Sequence, residues 1–451
     1  MLANKIFNNP PVKRIIFFIS LIALFGSQLQ ASYSNPAPQL QEAKAMQKKQ
    51  ADKMKILYDD IKAKFEKLRP QSIRPAEGFI KYDYLIPAGF YKQMWDWDGF
   101  FIGCHLVSIG KPEYLKYWVL NFVSAIDKEG YVAGCVTTQG PRPIFGKFAM
   151  KPFLAQGAYF SSVGLNDFSW IEPVFEGMKM VIRYREKTQF DEKYRLFFWD
   201  NAMQSGADNN VVLSNDDREP SAILGVDINV FQYREYFAMA KIAEKLNKKE
   251  DAVLFNDKAL KLKSAIIKYH WDKENYSFWN VRRRDGRKIK RVSYSNFIPL
   301  IQKDLLPQSE GKKMIKRYLW NKNHMLATYG LRSLSKVDPD YNNENIIAPY
   351  SNWQGPVWPI ANYLFFAGLK NYGFDKECAA LAETLGTMIS RDIEKFGSMH
   401  EDYNADTGEA LAPAAEQSKD GKFTGFVGWN LLIQNMFMGI IDNKWMLLEI
   451  K

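Results

Sequence analysis

Apolar residues along this chain recur mostly at helical spacing. In 226–246, Val226, Val230, Tyr233, Phe237 and Ala240 fall on one face, an amphipathic stripe. The 40–68 segment reads as a long, highly charged helix, and 251–269 as the neighbour of 226–246. Further helical periods lie over 114–126, 169–186, 308–320, 356–371, 376–393 and 425–441, and the apolar run after Asp98 begins another helix. Strand-like alternation is weak everywhere except around 276–282. The chain is therefore expected to be all-α.

Between these helices run long loops rich in Gly, Pro, Asp and Trp. Loops of that length inside a compact domain are usually functional. Paired helices with such loops at one end suggest an (α/α)6 toroid, although no strict sequence repeat marks the pairs. The expected organisation is a signal peptide over 1–31, a linker and N-terminal helix over 32–70, and a catalytic domain over 71–451.

The N-terminal segment has a positive start at Lys5, Lys13 and Arg14 and an apolar run over 15–25, too short to span a bilayer comfortably. Leu29-Gln30-Ala31 offers a cleavage site, so the protein is expected to be periplasmic or secreted, with no stable membrane span once the signal is removed. Mass spectrometry of protein from its native host should find a mature N-terminus near Ser32. Soluble cytosolic material starting at Met1 would contradict export.

Composition narrows the chemistry. The formal charge is +11, and losing the three cations of the leader leaves a mature charge near +8. The excess is spread over stretches such as 258–268 and 282–291, and no nucleic-acid motif accompanies it, so solvated surface charge is expected rather than a nucleic-acid partner. Three cysteines make no disulfide framework, though Cys104 and Cys135 could pair in an oxidising compartment. Four scattered histidines lack metal-ligand spacing, and neither G-x-S-x-G nor G-x-G-x-x-G occurs. No metal or cofactor is expected. Aromatics reach 15%, with 12 Trp, several of them beside acids. Some fill the core, while others suit a carbohydrate site, where ring faces meet sugar C–H faces.

Four loops concentrate this pattern. Trp95-Asp96-Trp97-Asp98 alternates rings and acids before a helix that Asp98 could cap. Ser205-Gly206-Ala207-Asp208-Asn209-Asn210 places Asp208 at what reads as an exposed tip flanked by amides, a composition also typical of plain surface turns. Tyr350 to Pro359 sets Trp353 and Trp358 around a Gly355-Pro356 turn that opens a helix. His400-Glu401-Asp402-Tyr403-Asn404 is followed by Phe423 to Trp429, and its Asn404-x-Asp406-x-Gly408 is a partial match to a calcium loop.

In this order the loops resemble glycoside hydrolase family 63 and its clan relatives, the family 37 trehalases, over roughly 82–441. Ser205-Gly206-x-Asp208 is similar to the segment that carries the family's general acid. Glu401-x-Tyr403-Asn404-x-x-Thr407-Gly408 is similar to the one that carries its general base. Trp353-Gln354-Gly355-Pro356-Val357-Trp358 resembles Trp-Arg-Gly-Pro-x-Trp, with Gln354 in place of the common Arg. The chain departs from the family at Asn210-Val211, where Pro-Arg is common, and the trehalase signature around the first Trp-Asp is incomplete.

The resemblance implies an inverting hydrolase of an α-glucosidic or α-mannosidic bond in a small glycoside or oligosaccharide. Its two carboxyls should lie about 6.5–9.5 Å apart to admit a water. Asp208 is then the acid, its pKa raised in a partly dry pocket. Glu401 is the base and is expected to stay ionised. Trp95, Trp97, Asp98, Gln139, Arg142, Trp353, Gln354, Trp358, Tyr403 and Trp429 are the expected substrate contacts. Trehalase, a sugar lyase or isomerase on a similar toroid, and a non-catalytic glycan-binding protein are the alternatives. A lyase or isomerase would depend on a Tyr or His instead of the carboxylate pair, and a binding protein would tolerate loss of Asp208 or Glu401.

Overall fold

A computed structural model describes residues 36–89, 91–143, 149–199, 201–213, 223–344, 351–411, 424–442 and 449–450. The expected signal peptide lies outside them. The chain divides into two compact units, Met1–Met54 and Lys55–Lys451. Helix α1 (Pro36–Leu68) runs through the division. The unit that holds the loops spans Lys55–Lys451 and includes the last turns of that helix.

Within Lys55–Lys451 the helices alternate between two kinds. One kind is buried on nearly every face: α2 (Asp96–Ser108), α4 (Leu154–Leu165), α6 (Val226–Lys245), the 3-10 helix Tyr294–Ile301, α9 (Pro359–Asn371), and the 3-10 turn Gly428–Leu431 continued by α11 (Leu432–Ile441). The other kind shows one wet face: the end of α1, α3 (Glu113–Val123), α5 (Phe175–Gln189), α7 (Lys249–Tyr269), α8 (Gln308–Met314) with the π turn Ile315–Leu319, and α10 (Asp375–Phe396). Each buried segment packs on the next buried segment in chain order, and α11 returns to α2. Among the described residues, six inner segments therefore close a ring, with the amphipathic helices outside it. This is an all-α (α/α)6 arrangement.

The ring explains where helical periodicity misleads. A helix inside it has no solvent face, so α6 buries Asp227, Asn229, Gln232, Arg234 and Glu235 as well as its apolar stripe, while Phe237 of that stripe is only half-buried. The buried charges are tied to neighbours. Glu235 accepts from the backbone N–H groups of Ala155 (2.7 Å) and Gln156 (3.2 Å) at the positive start of α4, and Arg234 donates to the Gln156 side chain (3.0 Å). Helix α4 itself, Leu-Ala-Gln-Gly-Ala-Tyr-Phe-Ser-Ser-Val-Gly-Leu, is apolar all round and shows no stripe for a sequence reading to find. In α2, a Cβ on Gly99 or Gly103 would come within 2.4 Å of Trp118 or 2.5 Å of Leu115, so these two glycines let α3 pack close.

In chain order, every chemistry-bearing loop lies on the path from an outer helix into the next inner segment. Short strands brace them. The first, β1 (Met94–Trp95), pairs antiparallel with β2 (Cys135–Thr137), which pairs with β3 (Gly140–Pro141). Strand β4 (Ile223–Leu224) joins β5 (Asn280–Arg282) and β6 (Lys288–Ile289), where alternation is expected from sequence. Strand β7 (Asp402–Tyr403) pairs with β8 (Ala410–Leu411). Cys104, Cys135 and Cys378 are all buried free thiols, so the Cys104–Cys135 bridge is not formed. No helix among the described residues is long and apolar enough to cross a membrane.

Candidate active site

Four tryptophans from three loops make the floor of the site. Ring centroids lie 6.1 Å apart for Trp97 and Trp353, 4.2 Å for Trp353 and Trp358, 6.3 Å for Trp358 and Trp429, and 5.5 Å for Trp429 and Trp97. Their exposures are 1–4%, too small for an open sugar-stacking wall. They act on each other, and Trp95, which is part-exposed, is the tryptophan of the first loop that still presents surface.

The floor fixes the Asp208 loop. Gly206 has φ +86°, and a Cβ there would meet the Trp97 ring at 2.7 Å. Asn209 Oδ1 accepts from the Trp353 N–H (2.6 Å), and Gln354 Nε2 donates to the Asn209 carbonyl (3.3 Å). Gln354, expected to touch substrate, is therefore a brace for the Asp208 loop. Asp208 itself is half-buried and no exposed tip. Ser351 Oγ donates to its carboxyl at 2.8 Å. Enclosure pushes this carboxyl up to about 6, against the lowering effects of Ser351 and Lys151. A Gly206→Ala change combines a left-handed backbone with a steric clash and is expected to cost about 1–3 kcal/mol. It should also lower kcat by displacing Asp208, which steady-state rates and denaturation of the variant would show.

Glu401 arrives from the other end of the chain. Backbone bonds zip Tyr403 to Val357 in the third loop (2.8 and 3.0 Å). Asp392 of outer helix α10 holds both sides of Glu401, accepting from the His400 N–H (2.9 Å) and the Tyr403 hydroxyl (2.6 Å). Tyr403 is wholly buried with its hydroxyl directed to Asp392, so it positions the Glu401 loop and is not placed to meet sugar.

Glu401 is 6% exposed, and its pKa is raised well above the ordinary value, first by burial and then by the charges of Asp402, Asp208 and Asp98. This corrects the expectation that it simply stays ionised. Asp98 is pushed up to about 8, mainly by burial, and Asp402 is raised by burial too. Acids that feel one another in a shared dry space do not all ionise; they share protons.

Two residues that sequence reasoning missed set this balance. Lys151, at the entry to α4, is 5% exposed, and its ammonium lies 3.1 Å from Asp96 and 5.4 Å from the Trp97 ring centroid. Asp96, the first residue of α2, also accepts from the N–H groups of Trp97 (2.6 Å) and Lys151 (2.7 Å), while the N-cap position falls to Trp95 with no side-chain cap bond, so Asp98 does not take the capping role expected of it. Asp402 has a buried oxygen without a hydrogen-bond partner among the described residues. A lone lysine in Met-Lys-Pro-Phe carries no motif, and Asp402 is overshadowed in sequence by Glu401.

The remaining expected contacts, Gln139 and Arg142, are exposed. Gln139 is exposed in the β2–β3 turn, where its amide donates to Thr138 Oγ1 (2.8 Å). Arg142 is exposed just after β3. The partial calcium loop is spent differently: Asn404 Oδ1 accepts from the N–H groups of Asp406 and Thr407, and Asp406 pairs with Arg332 at 2.8 Å. No group of three or more His, Cys, Asp or Glu side chains among the described residues is arranged to hold a metal ion.

Comparison with known proteins gives the family and the fold. The family model for the mannosylglycerate hydrolase MGH1-like glycoside hydrolase domain matches residues 91–423. A probable mannosyl-oligosaccharide glucosidase of Schizosaccharomyces pombe is 26% identical over 217 residues, 45% of this chain and 24% of that protein. A mannosyl-oligosaccharide glucosidase of Arabidopsis thaliana is 27% identical over 158 residues, 33% of this chain and 18% of that protein. The matches thus span under a quarter of those relatives. A family 63 mannosylglycerate hydrolase from Thermus thermophilus, solved with glucose, superposes with a TM-score of 0.61 at 18% identity, covering 81% of this chain and 96% of that one. A neutral trehalase from Saccharomyces cerevisiae gives 0.60 at 16% identity, covering 80% and 74%. These likenesses show the toroid fold.

Proposed function

The chain belongs to the mannosylglycerate hydrolase-like glycoside hydrolase family, and we propose that it cleaves an α-glucosidic or α-mannosidic bond of a small glycoside or oligosaccharide with inversion. One observation carries this reading. Asp208 and Glu401, from loops far apart in sequence, come to one region of the fold, near enough for the charge of Asp208 to raise Glu401.

In that space a protonated Asp208 gives its proton to the departing glycosidic oxygen as the C–O bond breaks. Glu401 takes a proton from the water that attacks the anomeric carbon from the opposite face. A pair holding one proton between two carboxyls has one acid and one base, which is the state this reaction starts from. Asp98, neutral below about 8, can both donate to and accept from a sugar hydroxyl. Trp95, Gln139 and Arg142 are the candidates for contact at the entrance. Export is part of the same proposal and rests on the charged, apolar N-terminal segment.

Proton NMR of the first-formed sugar tests the stereochemistry: inverted product is expected, and retained configuration would overturn the proposal. The pH profile tests the acid. Because Asp208 must be protonated, kcat/KM should fall as pH rises through about 6 in the free enzyme. An alkaline limb that does not move in the Asp208→Asn protein would assign the proton to another group.

A further inference from the structure

The basic stretch 282–291 finds no use in the hydrolytic site. It folds into the β5–β6 hairpin, and one wall of a cleft of about 770 Å³ is built from its residues. Residues 335–340 and the π turn supply the other walls. That volume lies within the range of about 300–1,000 Å³ common for small-molecule sites. None of its lining residues belongs to the acid cluster or the tryptophan floor.

Four cations and two acids line the cleft. Both acids are engaged by Arg291, whose Nε lies 2.9 Å from Asp338 and whose terminal nitrogen lies 2.6 Å from Asp340. Lys288 donates to the Trp271 carbonyl (2.6 Å). Two cations are left over. The Arg287 side chain is exposed and has no partner among the described residues, and Lys290 is 58% exposed with only a loose 3.4 Å contact to Asp272. The cleft therefore keeps positive charge at its mouth. Its interior is aromatic, with Tyr318 beside Trp279 (6.2 Å) and His324 (5.1 Å), and Val337 sits exposed at the edge.

We propose that this cleft is a second binding site, separate from the hydrolytic centre, for an acidic saccharide bearing carboxylate or sulfate groups. The rim cations would meet the anionic groups, and Val337 with the aromatic edges would meet sugar C–H surface. Asp338 and Asp340 at the far wall disfavour a continuous polyphosphate backbone, so nucleic acid is a poorer fit than a saccharide with discrete charges.

The test is calorimetric titration of the full chain at low salt with three probes: a galacturonate tetramer, sulfated cellotetraose and plain cellotetraose. One or both acidic probes should bind and the neutral one should not, and the acidic probe that binds identifies the anionic group. Arg287→Ala, which removes no side-chain contact seen in the structure, should weaken that binding at least about threefold, and Arg287→Ala/Lys290→Ala at least about tenfold, or about 1.4 kcal/mol. Hydrolysis of a small neutral α-glycoside should stay unchanged in both variants. The proposal is overturned if neither acidic probe binds below about 1 mM, if plain cellotetraose binds equally well, or if both variants bind as the parent does. It is also overturned if a short single-stranded DNA binds more tightly through the same two residues. Failure here leaves hydrolysis untouched, so it is distinguishable from failure of the glycosidase reading.

Discussion

An Asp208→Asn enzyme is expected to lose about 10²–10⁴-fold in kcat on its natural substrate, and Glu401→Gln a similar factor. Each change keeps the shape of the side chain and removes its proton chemistry. KM should move little, because the floor and the rim contacts are untouched. The two losses should differ in kind. A substrate with an activated aryl leaving group departs without a proton, so it should restore much of the Asp208→Asn rate and none of the Glu401→Gln rate. Azide, replacing the activated water, should rescue Glu401→Gln alone and leave an inverted glycosyl azide. That pairing matters here, since burial raises both carboxyls and the two rescues separate donor from acceptor. Reversed rescue patterns would exchange the two roles, and near-normal turnover by both variants would remove them from the mechanism.

Asp208 and Glu401 stand out in the sequence because each sits in a short motif beside Gly or aromatic residues, and the order of the four motifs is a property of the chain itself. The helices were legible wherever one face is wet, as in α7 and α10. The same physics hid α4 and blurred α6, because an inner-ring helix is buried all round and loses the period that a solvent face imposes. It also hid the division of labour among the aromatics. Sequence places tryptophan beside acid but says nothing of which ring faces are covered, and four of the five turned out to be packed on one another. Lys151 was out of reach for a different reason: its importance comes from being buried against Asp96, a pairing across distant loops that no local pattern records.

Lys151→Met should be the most destabilising single change at this end of the toroid. Both members of the Lys151–Asp96 pair are buried, with side chains 6% and 1% exposed, and removing one partner of such a pair typically costs about 3–5 kcal/mol. The lysine also holds down the carboxyls of Asp98 and Asp208, so its loss removes a charge that offsets these enclosed acids. Two consequences separate this account from a simple packing defect. The sign of the pH dependence is fixed: Asp98 and Asp208 have folded pKa values raised above the unfolded one, so their ionisation opposes folding as pH rises from about 4 towards 6 and 8. Without Lys151 that opposition grows, and the deficit measured by chemical denaturation should be larger at pH 8 than at pH 5. The second consequence is coupling. Asp96→Asn combined with Lys151→Met should cost less than the sum of the single changes, because the double variant buries no unpaired member of the pair. In the single Lys151→Met enzyme, removing the cation should move the alkaline limb of kcat/KM upward, because Asp208 then keeps its proton to higher pH. A deficit independent of pH, strict additivity in the cycle and an unmoved limb would together reduce Lys151 to a packing residue and leave the acid cluster to be balanced by something else.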